Sequence, residues 1–309
     1  MTANCARAAS ACDRSAVHVR LLRLFSSPSY RPPLLPGVAL EIIALSQRPD
    51  ATFDQVSSVL EHDPVLTAKV LSISQSAMYR ARSPVLSLQQ ATIRLGLATL
   101  RSIVVEASLA LRVFNAPGYE QAMARLSWHS TVTAYLMRAL CRKSAIEAEY
   151  GFLCGLLHDV GIAASLLALS DDARAGPLRF DALGPVLDEV HQEASGLLAR
   201  LWRLPVEIQN VVATHHQLHV GGTPHPVNAT LIVAEQLARE LGAGMAPPPG
   251  AAAMSGEPLL DASPAGLFEA ARATLGIDDA ALALARAEAA DTVAKLALHP
   301  ALQRSAPPP

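Results

Sequence analysis

The stretch "GLLHDVGIAASLLAL", Gly155 to Leu169, sets an imidazole beside a carboxylate inside an otherwise apolar run. Burying both groups is costly unless something pairs with them. A divalent cation would do so, because it stabilises the neutral imidazole of His158 and the ionised carboxylate of Asp159 together. Five further residues carry the same donor chemistry: His129, His191, His215, His216 and Glu235. Imidazole and carboxylate ligands suit Fe, Mn, Zn or Mg, as one ion or two, and helices that project them inward build such sites. Singly, none of the seven marks a site. A second doublet, His62-Asp63, has a purely structural reading, with Asp63 as an N-cap before Pro64 at the first helical position. Likewise "THHQLH" (Thr214 to His219) reads equally well as a polar helix end favoured by the helix dipole.

The elements that must position these residues are helices. "TFDQ" (Thr52 to Gln55) has capping-box spacing and opens a helix toward Leu60. The helix begun by Asp63 runs to about Met78, and Ser87 caps another that Gly96 interrupts. Leu97 to Phe114 is apolar and ends at the breaker cluster "NAPG". A second set follows: Gln121 to Lys143, Ala148 to Leu169, Leu187 to Trp202, Pro205 to His216 and Val227 to Leu241. "RLP" and "VGGTPHP" separate neighbours within it. No alternating strands joined by hairpin signals stand out. Beyond Gly242, "GAGMAPPPGAAAMSGEP" reads as a flexible linker. It leads to two Ala-rich helices, Pro264 to Leu275 and Asp278 to Leu298, the last too rich in alanine to bury much area unless it docks on the body or a partner.

Bulk composition agrees. Hydrophobic residues make up 51% of the 309 and aromatics only 4%, a balance that favours packed helices over strands. A net charge of −2 gives no global field to gather nucleic acid or an anionic membrane. The run Phe152 to Leu169 is nearly long enough to cross a bilayer. With His158 and Asp159 at its centre it reads as a buried core helix, and no membrane anchor is expected. Cys5, Cys12, Cys141 and Cys154 form no C-x-x-C pair, and reduced thiols in a cytoplasmic protein are the expectation. Residues 1–31, with five arginines against one aspartate, read as a loosely ordered leader.

The order and spacing of the candidate ligands resemble the HD superfamily of metal-dependent phosphohydrolases, whose signature is a His, a His-Asp pair and a distal Asp. "SWHS" resembles the first element at His129, "LLHDVG" the pair, and "LIVAEQLA" the last, with Glu235 where the family has Asp. His191, His215 and His216 look like the extra histidines of two-metal subfamilies. The chain is more closely similar to the HDOD family, the HD-related output domains of bacterial signalling. Leu34 to Tyr79 and Ser83 to Leu109 look like that family's N-terminal helical region, which ordinary HD hydrolases lack. His191 to His216 looks like its later part.

The resemblance implies an all-α fold, a multi-helix HD-like bundle preceded by an N-terminal helical subdomain. The expected divisions are a leader at 1–31, the N-terminal region at 32–116, the bundle at 117–242, and linker plus C-terminal helices at 243–309. It also implies a regulatory module acting through contacts with signalling proteins. Two alternatives stay open. One is a metal-dependent phosphohydrolase, in which the cation would activate a water that Asp159 and His158 orient. The other is a structural cation that staples the helices. The chain departs from the cyclic di-GMP-cleaving HD-GYP branch: Ile162 stands where that branch has a lysine after "HDxG", and no Gly-Tyr-Pro follows His216. Gln75 stands where the HDOD family usually has asparagine.

Overall fold

The computed structural model describes residues 16–27, 30–33, 35–45, 48–76, 78–79, 87–171, 180–245 and 266–298. Most of the expected leader (1–15), with Cys5 and Cys12, lies outside these residues, as do the linker from 246 to 265 and the terminal residues 299–309. The described chain is α-helical: α1 (16–25), α2 (Gly37–Leu45), α3 (Phe53–Glu61), α4 (Pro64–Ser74), α5 (Leu88–Arg112), α6 (Glu120–Cys141), α7 (Ala148–Leu157), α8 (Val160–Asp171), α9 (Phe180–Leu201), α10 (Val206–Thr214), α11 (Pro226–Glu240), α12 (Leu267–Thr274) and α13 (Asp279–Ala297).

Local chemistry sets the boundaries. Thr52 and Gln55 form the reciprocal capping box of α3. Asp63 accepts the Leu66 N–H at 3.0 Å ahead of Pro64 and faces Arg112 at 4.0 Å, so the first His-Asp doublet has the structural role of a helix cap. Ser87 caps α5 through the Gln90 N–H at 3.1 Å, and α5 kinks at Gly96 as expected.

Three expectations need correcting. The predicted helix Ala148 to Leu169 is two helices, α7 and α8, broken at His158-Asp159, where the chain turns to present both side chains. The helix expected from Leu187 starts at Phe180 and carries Pro185 inside it, since Leu183, Val186 and Leu187 are fully packed and that burial outweighs one missing N–H. "VGGT" forms a small antiparallel ladder, β1 (His219–Val220) on β2 (Thr223–Pro224), turned by Gly221 and Gly222 at positive φ.

Helix α6 is the axis of the bundle, buried without a break from Leu126 to Arg138 and packed against α7, α11 and α13. The apolar window within 148–171 is 94% buried inside the protein, which suits a core element. Cys141 and Cys154 are free and buried. Burial pushes the Cys141 thiol up to about 12, as expected for inert core thiols. The C-terminal pair docks on the body. Leu282, Ala285, Ala289 and Leu296 are buried on α13, with Arg286–Glu240 and Lys143–Glu288 ion pairs at the rim.

A buried polar joint ties α5 to the bundle. Arg138 donates to Glu149 Oε2 at 2.7 Å and to the Tyr79 hydroxyl at 2.5 Å, with its guanidinium 3.8 Å from the centroid of Phe152. Glu149 also accepts from Ser102 at 2.6 Å. Glu106 accepts from the Tyr135 hydroxyl at 3.2 Å, and burial pushes its carboxyl up to about 7.

Candidate metal centre

All seven residues singled out from the sequence meet at one place. His129 comes from α6, His158 and Asp159 from the α7–α8 turn, His191 from α9, His215 and His216 from the end of α10, and Glu235 from α11. His129, His158 and His215 are fully buried, His191, Asp159 and Glu235 nearly so, and only His216 is half-buried.

Hydrogen bonding fixes the Nδ1 proton of four imidazoles. The Nδ1 of His158 meets the carbonyl of Gly155 at 2.8 Å, that of His215 the carbonyl of Val212 at 2.8 Å, and that of His191 the carbonyls of Leu187 and Asp188 at 3.0 and 2.9 Å. His129 Nδ1 meets the carbonyl of Ala243 at 2.9 Å. A carbonyl only accepts, so each Nδ1 carries a proton and each ring, when neutral, turns the bare lone pair of Nε2 inward. There the lone pairs oppose one another. His129 Nε2 lies 3.1 Å from His158 Nε2, and His191 Nε2 lies 3.1 Å from His215 Nε2 and 3.4 Å from His216 Nε2.

One carboxylate spans the two sets. Asp159 Oδ2 is 3.3 Å from His158 Nε2 and 3.5 Å from His129 Nε2, while its Oδ1 is 3.4 Å from His215 Nε2 and 3.5 Å from His191 Nε2. Glu235 Oε1 lies 3.5 Å from His158 Nε2. Acceptor facing acceptor in a dry interior is unfavourable unless a proton or a cation sits between. Donors about 2.1 Å from a shared ion fall roughly 3.0–3.4 Å apart at right-angle to tetrahedral spacing. The observed separations fit that requirement. His129, His158 and Asp159 form one group able to hold a cation, and Asp159, His191, His215 and His216 form another.

The electrostatics point the same way. Burial opposes charging His158, but the adjacent Asp159 carboxylate, with Glu235 behind it, lifts it to about 9. Burial works against ionised Asp159 too, yet His158 beside it holds the carboxyl well below its usual range. His215 is pushed down to about 4 and His216 to about 2, in each case mainly by burial. A cation at the His158 Nε2 therefore competes with a proton for the same lone pair. Apparent affinity for Mn²⁺ is expected to tighten about tenfold per pH unit between pH 7 and 8, levelling above the His158 value. Isothermal titrations at the two pH values test this, and equal affinities at both would contradict it.

Three groups outside the sequence reading support the ligands. Ser195 on α9 bonds the backbone of the His-Asp turn. Asn228 on α11 braces the His215-His216 turn, donating to the carbonyls of Thr214 and Gln217 at 2.8 and 2.9 Å. Ala243 is aimed at His129 by Gly242, whose φ of 75° closes α11 in a left-handed cap while the Ala243 N–H returns to the Ala238 carbonyl at 2.8 Å. A short polar side chain one turn from a candidate ligand, or a glycine ending a ligand-bearing helix, is too common a pattern to pick these out.

A helical bundle whose inner faces converge on histidines around an aspartate defines an α-helical domain with donors grouped so as to be able to hold a cation. The chain matches the HDOD domain family over residues 32–218, most of its length, and belongs to that family. Among curated relatives it is 25% identical over 221 residues to an uncharacterised protein of Treponema pallidum (strain Nichols), covering 68% of this chain and 42% of that one. It is 30% identical over 95 residues to ribonuclease Y of Mycoplasma genitalium, covering 31% of this chain and 16% of the ribonuclease. The chain thus spans less than half the length of either.

Among solved structures, an HDOD domain protein of Geobacter sulfurreducens aligns with a TM-score of 0.64 at 23% identity, covering 92% of this chain and 99% of its own. A protein of Shewanella amazonensis SB2B, provisionally assigned as a metal-dependent phosphohydrolase, gives 0.64 at 19% identity, covering 92% and 99%. A provisionally assigned signal transduction protein of Marinobacter aquaeolei VT8 gives 0.61 at 21%, covering 95% and 66%. At these identities the likeness is one of fold.

Proposed function

We propose that this HDOD chain is a regulatory module of bacterial signalling that works in the cytoplasm through contacts with signalling proteins, and whose bundle holds one or two divalent cations. The observation that carries the cation is the opposition of Nε2 atoms at 3.1 Å in both imidazole sets, with Asp159 between them. His129, His158, Asp159 and Glu235 would hold one ion, and Asp159, His191, His215 and His216 a second. The regulatory reading is supported by family membership, and by the signalling role ascribed to the Marinobacter protein of the same fold. It is also supported by the scarcity of phosphate-binding cations in the motif: Gly155 to Leu169 contains no Lys or Arg, and Ile162 is buried there.

A second reading, a metal-dependent phosphohydrolase, is favoured by the retention of nearly every candidate ligand, with Glu235 in place of Asp, and by the role ascribed to the Shewanella protein. A bound cation would supply a hydroxide and polarise a phosphoryl oxygen. This chain's part would be to orient the attacking water through Asp159 and His158. Elemental analysis of protein purified without chelator, followed by turnover of bis-p-nitrophenyl phosphate, separates the readings. Stoichiometric metal without turnover supports the module. Turnover abolished by His158→Ala supports the hydrolase, and a folded protein that takes up no Mn²⁺, Fe²⁺ or Zn²⁺ sinks the cation and the hydrolase, leaving the protein-contact role to a pull-down from the native cell.

A further inference from the structure

Helices α7 and α8 break at the doublet in a fully buried setting, and such a break leaves backbone groups without helical partners. One side chain supplies two of them. The Ser195 hydroxyl donates to the His158 carbonyl at 2.6 Å and accepts the Gly161 N–H at 2.9 Å, so it bonds the chain on both sides of Asp159. Ser195 is wholly buried and lies one turn beyond His191 on the same face of α9.

Gly161 shows how closely the two elements meet. A Cβ there would fall 2.2 Å from the His191 carbonyl and 2.6 Å from the Ser195 nitrogen. The backbone of α8 therefore rests directly on the backbone that carries His191. Asp159 has to reach His129 and His158 with one oxygen and His191 and His215 with the other. Its freedom to do so depends on how the turn sits on α9.

We propose that Ser195 is a positioning residue of the cation centre: its two hydrogen bonds set the register between the His158-Asp159 turn and α9, and so hold Asp159 where it can serve both imidazole sets. This rests on the cation reading given above. A hydroxyl with only a structural role would alter stability and leave affinity alone. A positioning hydroxyl alters affinity beyond any loss of stability.

The test is titration of the chelator-stripped, full-length protein with Mn²⁺, together with thermal unfolding with and without the ion. Ser195→Ala is expected to weaken Mn²⁺ binding by about 10- to 100-fold, the range for removing an outer partner of a ligand, and to shrink the unfolding shift that Mn²⁺ produces. Ser195→Cys keeps the shape with a poor donor and is expected to fall between wild type and Ser195→Ala. If Ser195→Ala does not fold, the cysteine variant decides the question by the same two readouts. Wild-type affinity in a destabilised variant overturns the positioning role while leaving the cation intact. Failure of the wild-type protein itself to bind Mn²⁺ removes the cation reading and this inference with it, a different outcome from the first.

Discussion

Asp159→Asn is expected to empty both halves of the centre at once. The amide is nearly the same shape as the carboxylate, so the turn should persist, but it brings no negative charge and faces one set of imidazoles with a donor instead of an acceptor. Each oxygen of Asp159 lies within 3.5 Å of two imidazole nitrogens. Loss should be at least about 100-fold in Mn²⁺ affinity, since an inner ligand matters more than an outer partner. His129→Ala and His191→Ala should each disable one group and spare the other. Metal-to-protein ratios for the three variants after dialysis against Mn²⁺ check the pattern. A ratio unchanged in Asp159→Asn would refute the bridging role.

Arg138→Ala should cause the largest loss of stability, about 3–5 kcal/mol, because it leaves the buried Glu149 carboxylate without its cation. It also strips the Tyr79 hydroxyl of its donor and uncovers the face of Phe152. Combining Arg138→Met with Glu149→Gln removes the charges together and is expected to recover most of that loss. Urea unfolding of the two proteins at constant pH measures the difference. If the double variant is no more stable than Arg138→Ala, the uncompensated charge is not the cause.

The helices are legible in the sequence where they start with a chemical signal. Thr52, Asp63 and Ser87 cap as their spacing demands, since capping is a local interaction visible within four residues. The break at His158 is not legible, because Gly155 to Leu169 is apolar apart from the doublet and Ser165, and its sequence carries no clear stop signal there. The side chain that bonds the backbone on both sides of the break is Ser195, 37 residues away along the chain. The donor set is legible because imidazoles and carboxylates are conspicuous in apolar helices. Its geometry is not, since the ring orientations depend on carbonyls at Gly155, Val212, Leu187 and Ala243 that every sequence supplies everywhere. Arg138 escapes a sequence reading for a related reason: a single arginine near a helix end reads as solvated until aromatic rings are seen to enclose it.

His129 differs from the other three carbonyl-anchored histidines in one respect. They lean on their own helices, within four residues, whereas His129 leans on Ala243, 114 residues downstream. The family match ends at residue 218, short of both Glu235 and Ala243. A boundary drawn by similarity therefore cuts through the candidate donor set. Any shortened version that stops there keeps the eye-catching histidines yet forfeits an acid and the prop that aims His129, and its metal titration would describe a different pocket.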